Sequence, residues 1–460
     1  MLYMLSTMKG MSIFMEEKIN LKEKISYSIG DVGCNFVYVP ITSFLMIYYT
    51  NSVGLGVAAV GTLMLIARLL DGVTDLSIGA LIDKTNTRWG KTRPWILWSA
   101  PFMGIGLILL FNVPMGLSNG GKLIYAYITY IFLVSIVYTA SNLSYCTLLS
   151  RISSNIQERS VLSSIRFVFV ISFTIILSMI TNPLVEKYGW SKLAVIYGII
   201  SCAFLFITFA FTKERNQDEK GEKFKLKVGI GSLMKNKYFL LIAIMFIIIY
   251  TDMGLFSGAT LYYTTYVLNN ANLMGMLTLA LYAPMIVGFA LLPKFISKFG
   301  KWKVMMFGFL VKLVGVIIMA INPASYELVM AGSIIKGFGM APLIVGIFAI
   351  VADAVDYGEW KTGIRADGLI NSCVSFGMKL GGGLGTAILG WILDFGKYNG
   401  TAAVQTGAAI KAINISFIYS GIVFTIIGLI VMYFINMDKF SNKMVTELNI
   451  KRTSKSIELN

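Results

Sequence analysis

The chain has 460 residues, of which 56% are hydrophobic and only 13% charged, against roughly 25% charged in soluble domains. That balance excludes a soluble globular enzyme and points to a protein that lives in lipid. The net charge of +16 does not indicate nucleic acid, because the basic residues are scattered over many short loops and form no single groove with interleaved aromatics.

Twelve long apolar stretches follow in chain order, near 26–50, 57–82, 95–114, 123–150, 163–185, 191–212, 237–268, 273–297, 302–322, 326–357, 368–395 and 408–437. Each reaches the ~20 residues with which a helix crosses ~30 Å of hydrocarbon. They predict an all-α, multi-pass membrane protein with twelve transmembrane helices. Lys and Arg set its orientation, since short translocated loops carry few of them. With the N-terminus cytoplasmic, 29 of the 39 lie in inner segments and five in outer loops. The last five, Arg68, Arg166, Lys312, Lys336 and Lys379, lie within spans. Both termini are therefore expected inside a cell membrane, with the basic loops facing anionic lipid headgroups.

The charged run 213–236 separates six spans from six. The expected organisation is a cytoplasmic segment 1–25, a six-helix bundle 26–212, a cytoplasmic linker 213–236, a second six-helix bundle 237–437 and a cytoplasmic tail 438–460. A repeat supports the division: DKTNTRWGKTR from Asp83 and PKFISKFGKWK from Pro293 each follow an even-numbered span. In register, Gly90 matches Gly300, Lys91 matches Lys301 and Arg93 matches Lys303. The four cysteines all fall within spans and read as small apolar residues, with no disulfide or zinc spacing. The first 24 residues lack the long apolar core of a removable signal peptide. The GGGLG run from Gly381 lacks the Gly-Lys-Ser/Thr of a phosphate loop and reads as helix packing.

Ionisable groups in mid-span are costly and normally face a cavity or a partner. Arg68, Asp71 and Asp75 lie at i, i+3 and i+7 of the second span, so they share one face ~60° wide. Two carboxylates one turn apart call for a cation, although Arg68 could instead neutralise a structural Asp. Oxygen ligands suit Na⁺, and a carboxylate beside another carboxylate could equally take H⁺. The chain has no histidine, so proton coupling would have to run through carboxylates, with Asp31 a further candidate. Asp252 on the seventh span is expected to pair with Lys312 or Lys336. Polar residues that sketch a solute cavity are Asp31, Asn35 and Tyr38 on the first span and Tyr138 and Asn142 on the fourth. Arg166 on the fifth span and Asn371, Ser375 and Lys379 on the eleventh complete the set. Such amides, charges and aromatic faces bind hydroxyl-rich solutes.

Two six-helix halves with a basic loop after the second span of each is the layout of major facilitator transporters, whose internal duplication creates a central site. Within that fold RLLDGVTD (68–75), TRWGKTRPW (87–95), VADAVDYGEWKTGIRADGL (351–369) and FGMKLGGGLG (376–385) resemble the glycoside–pentoside–hexuronide:cation symporters, from about Lys22 to about Met437. The resemblance implies symport of a sugar-like solute with Na⁺ or H⁺ by alternating access, with no cofactor, no metal beyond a transported Na⁺, and a monomer sufficient. It places Asn142 and Lys379 beside Asp71 and Asp75 at the cation, and Arg166 and Lys379 at the solute. Melibiose-type members have Asp where this chain has Asn142, and Lys, Asp and Trp where it has Cys34, Asn35 and Cys146. The 355–369 run, VDYGEWKTGIRADGL, is closer to the pentoside and glucuronide branches. An inner gate of cross-bundle ion pairs is expected between Asp353, Asp356 and Glu359 on one side and Arg88, Arg93 and Arg151 on the other, with Arg365 in the same run. An uncoupled sugar uniporter and a transporter-like sensor are the alternative readings. Against them stand the paired acids of span two and the lack of an appended signalling domain.

Overall fold

A computed structural model describes residues 19–153, 155–215, 236–362, 367–402 and 404–438, together with 444, 446–448 and 450. The linker from 216 to 235 and Arg365 lie outside the described residues. The spans run α1 Leu21–Ser52, α2 Val57–Lys84, α3 Arg93–Leu110 and α4 Asn119–Ile152. Residues 156–211 form one helical run of 56 residues. At 1.5 Å per residue that is about 84 Å, far more than one bilayer crossing. The run breaks at Gly189, whose φ of 77° and ψ of 164° no other residue type adopts readily. It is therefore two spans, α5 (156–188) and α6 (190–211). The second half runs α7 Lys237–Tyr266, α8 Ala271–Phe299 and α9 Lys301–Ile321. It continues through α10 Tyr326–Thr362, α11 Asp367–Phe395 and α12 Gly407–Phe434. The described residues thus hold the twelve crossings expected, within a few residues of the boundaries read from sequence.

Lipid supplies no hydrophobic drive between helices, so close packing depends on small residues. A methyl group added to Gly104 of α3 would sit 3.0 Å from the Gly198 carbonyl oxygen of α6. In the second half the same role falls to Gly308 of α9 against Gly339 of α10. Across the halves α2 packs on α11, where Gly61 meets Ala387 and Gly390, and α5 packs on α8, where Phe167 meets Phe289. These two contacts exchange under a shift of six spans, as an internal duplication requires.

The repeated loops are built alike as well. Gly90 and Gly300 both have positive φ, 103° and 85°, and each opens the way to a helix N-terminus. Above the first turn of α3 the Glu214 carboxylate accepts the N–H groups of Lys91 (3.0 Å), Thr92 (2.7 Å) and Arg93 (2.9 Å) and the Thr92 hydroxyl (2.7 Å). At α9 the Asp438 carboxylate accepts the Trp302 N–H at 3.1 Å. In each half an acid just past the last span therefore caps the third span, meeting its exposed N–H groups and positive dipole end. The same corner is stitched further: Arg215 donates two hydrogen bonds of 2.8 Å to Glu23 at the start of α1.

Burial pushes the Glu214 carboxyl up, but the donors from Lys91, Arg93 and Thr92 outweigh it and hold the group below the ordinary carboxylate range. A depressed carboxyl stabilises the fold above its unfolded pKa, and that contribution fades as pH falls through the lower folded value. Glu214→Ala should lower stability by about 1 kcal/mol at pH 7, the usual size of a lost cap. The same substitution should cost less near pH 3. Thermal melts of the detergent-purified protein at the two pH values check both statements.

Candidate solute and cation site

The α2 face predicted from spacing points into the interface with α11, and its charges are all engaged. Arg68 donates to Asp71 at 3.1 Å, one turn along the helix, with Asp71 only 1% exposed. The second Asp71 oxygen, Oδ1, is buried without a hydrogen-bond partner. Asp75, one turn further, receives the Lys379 ammonium at 2.6 and 2.8 Å. That pair crosses from α11 to α2 and so joins the two halves, with each side chain about a quarter exposed. The four groups sum to zero charge. The two acids therefore do not face each other across an open site; each has its own cation, and one acceptor atom, Asp71 Oδ1, is left over.

Asn142 on α4 is half-buried and accepts the Cys146 thiol at 3.8 Å. Among the described residues no hydrogen bond joins it to Asp71 or Asp75. Ser375 lies one turn before Lys379 on α11, half-buried, and Asn371 lies one turn before that on the same helix.

A second cluster lines the cleft from the first half. Arg166 of α5 donates to Asp31 of α1 at 2.5 Å and lies 5.0 Å over the Tyr145 ring. Tyr145 in turn stacks on Tyr27 at 4.7 Å. Tyr38 stacks on Tyr138 at 5.8 Å, and 40% of Tyr38 remains exposed in mid-span. Tyr27, Tyr145 and Cys146 are additions to the candidates read from sequence. Their signal was there, since Tyr27 precedes Asp31 by four residues and Cys146 follows Asn142 by four.

Two expectations need correction. Asn35 does not face the cleft: it is 6% exposed and donates to Val170 O (3.0 Å) and Thr174 Oγ1 (3.3 Å), tying α1 to α5. At four residues from Asp31 it sits 40° round the helix, far enough to turn into the neighbour. The inner gate also differs for its best-placed members. Asp353 pairs with Lys301 of its own half at 2.6 Å, because the start of α9 lies beside the end of α10. Arg93 stays in the first half, donating to Phe209 O at 2.7 Å and lying 4.8 Å over the Phe209 ring. Arg88 is exposed over Trp89, and the Arg151 carbonyl accepts the Arg215 N–H at 2.8 Å. Asp356 and Glu359 lie on the last turns of α10.

The halves also meet at the end away from the basic loops. There Thr50 and Tyr262 share a hydrogen bond of 2.9 Å, and Asn51 donates to Tyr266 at 2.7 Å. Tyr398 donates to Asn51 at 2.7 Å, and Asn182 to Asn272 at 2.8 Å. Nearer mid-span Asp75, Lys379 and Arg166 are each about a quarter exposed, and Tyr38 more so. The pairing expected of Asp252 is present, and it involves both lysines.

A model of the family described as MFS/sugar transport protein matches residues 26–439. The chain is 34% identical to the isoprimeverose transporter of Lactiplantibacillus pentosus over 97% of this chain and 95% of that one. It is 31% identical to a putative glycoside/cation symporter of Escherichia coli, YagG, over 87% of this chain and 88% of that one. In fold it is similar to a crystallised variant of the nucleoside transporter NupG, with a TM-score of 0.66 at 13% identity over 90% of this chain and all of that one.

Removing one partner of a partly buried ion pair costs more than removing both, because a lone charge is left behind. Lys379→Ala should therefore destabilise the protein by on the order of 1–3 kcal/mol. Asp75→Asn combined with Lys379→Gln should recover most of that loss. Melting of the three purified proteins measures the difference, and equal losses in single and double variants would show that the pair contributes nothing.

Proposed function

Since this chain belongs to the MFS/sugar transport protein family, we propose that it couples the uptake of a glycoside, pentoside or hexuronide to Na⁺ or H⁺ by alternating access. The observation that carries this reading is the Asp75–Lys379 pair, which joins the halves at the centre of a charge-neutral quartet. A cation entering that quartet competes with Lys379 for carboxylate oxygen, and the buried free acceptor, Asp71 Oδ1, is its first partner. Each cation bound thereby weakens the tie between α2 and α11. The coupling ion is thus linked to the relative motion of the halves, as symport requires. Asn142 adds an amide oxygen that can bind Na⁺ but cannot titrate.

The solute lies in the cleft beside this network. Tyr38 and Tyr138 offer an aromatic platform for a sugar ring, and the Asp31–Arg166 pair offers both a hydrogen-bond acceptor and donors. The excess of Lys and Arg on the loops at the cleft's mouth supports a topology in which that mouth, and both termini, face the cytoplasm across a cell membrane. A monomer contains every group the mechanism uses.

For a neutral solute moving with one monovalent cation, a potential of ~100 mV supplies ~2.3 kcal/mol. At ~1.4 kcal/mol per tenfold that is roughly 50-fold accumulation. Uptake into proteoliposomes, with potential, Na⁺ gradient and pH gradient imposed separately over a panel of glycosides, pentosides and uronides, tests the coupling. Asp71→Asn and Asp75→Asn should each abolish accumulation while leaving the protein in the membrane. Onefold equilibration of every solute by the parent protein under all gradients would establish a uniporter instead.

A further inference from the structure

Where α2 packs on α11, two glycines, one on each helix, make holes that the facing helix fills. At Gly383 of α11 the hole takes the root of Arg68: a methyl group added there would lie 2.7 Å from both Arg68 Cβ and Cγ and 3.6 Å from Leu65 Cδ1. At Gly72 of α2 it takes the ring tip of Phe376, with Cε2 at 2.9 Å and Cδ2 at 3.0 Å from an added methyl. The two holes differ in what they tolerate. Phe376 is 39% exposed, so its ring has room to swing aside. The Cβ and Cγ of Arg68 are held by the α2 backbone and by the few rotamers that a helix allows. They cannot yield without moving the guanidinium or the helix.

The charge pairing of the site hangs on that root. Arg68 donates from Nη1 to Asp71 Oδ2 at 3.1 Å and leaves Oδ1 buried with no hydrogen-bond partner. Lys379, one turn before Gly383 on the same helix, holds Asp75 at 2.6 Å. A guanidinium on one oxygen of a carboxylate is a standing competitor for any cation that binds the other, because like charges a few ångströms apart repel strongly where water is scarce. Such a competitor lowers the affinity of the site. A transported ion needs a site that it can leave as well as enter.

We propose that Gly383 is a positioning residue for the coupling ion: the room it gives the Arg68 stem keeps the guanidinium on Asp71, and that charge holds the ion's affinity low enough for release. The proposal rests on the symport reading above. A larger residue at 383 drives Arg68 off Asp71 or parts α2 from α11, and either change leaves the acids less compensated. The ion then binds more tightly and leaves more slowly. A gain of affinity is the signature, since a glycine that merely lets two helices pack costs stability when enlarged and tightens nothing.

The test uses the purified full chain in detergent, with Na⁺ alone as the probe and choline replacing it at constant ionic strength. The rise of melting temperature with Na⁺ gives the dissociation constant. Gly383→Ala should melt lower than wild type in choline, yet bind Na⁺ about fivefold tighter or more. Arg68→Met, which keeps the stem and removes the charge, should tighten Na⁺ in the same sense. Because Gly383 acts through Arg68, the double variant should bind no tighter than Arg68→Met alone. Gly72→Ala, where the facing ring can yield, should stay within about twofold of wild type. Unchanged or weaker Na⁺ binding in Gly383→Ala overturns the proposal. So does additive tightening in the double variant, or tightening in Gly72→Ala equal to that in Gly383→Ala. If Gly383→Ala does not fold, Arg68→Met decides: tighter Na⁺ binding there supports the proposal, and unchanged or weaker binding overturns it. Wild type that melts alike in Na⁺ and choline overturns it too, whereas the symport reading falls only if uptake ignores every imposed gradient.

Discussion

Every charge that enters hydrocarbon must be matched there, and this single constraint organises the interior of the protein. Nine charged residues within the spans fall into three groups: Asp31 with Arg166, the Arg68–Asp71–Asp75–Lys379 quartet, and the Asp252–Lys312–Lys336 cluster. Asp31 with Arg166 joins two helices of the first half. The third group joins three helices of the second. Of the three, only the quartet spans both halves, and its cross-half pair, Asp75 with Lys379, is about a quarter exposed. A network that must break and re-form belongs where solvent and ions can reach it.

The spans were legible in the sequence because their signal is local: length, hydrophobicity and the basic loops between them decide a crossing. The break between α5 and α6 was equally legible, since Tyr188-Gly189-Trp190 interrupts the apolar run at the one residue able to take positive φ. That Asp252 needs a partner followed from the cost of a lone charge, whereas the approach of both lysines to one oxygen did not. Register between helices is a tertiary property. No periodicity on α2 reveals that Asp75 meets Lys379 while Asp71 keeps Arg68 to itself, and none on α1 reveals that Asn35 turns toward Val170. Nor does any pattern along α10 reveal that Asp353 pairs with a residue of its own half, Lys301.

The repeat seen at Gly90 and Gly300 carries more structural weight than its few matched letters suggest. Each marks a corner where the third span of a half is fastened to the chain just beyond the sixth, through Glu214 in one half and Asp438 in the other. Fastening first-half elements to one another, and second-half elements likewise, favours rigid-body motion of each half over internal rearrangement. Close glycine contacts such as Gly104 on Gly198 act in the same direction, since backbones in van der Waals contact cannot slide far without losing it.

The two ends of the cleft differ in kind. The basic end is dense in full charges, whose mutual attraction and repulsion fall off with a Debye length near 10 Å at 0.1 M salt. Among the described residues, the opposite end is bridged between the halves by hydroxyl and amide groups: Thr50 with Tyr262, Asn51 with Tyr266 and Tyr398, Asn182 with Asn272. None of these groups ionises in the physiological range, and their hydrogen bonds are short-ranged dipolar contacts that salt barely screens. The far seal therefore holds with nearly constant strength in fresh water, brine, acid or mild alkali.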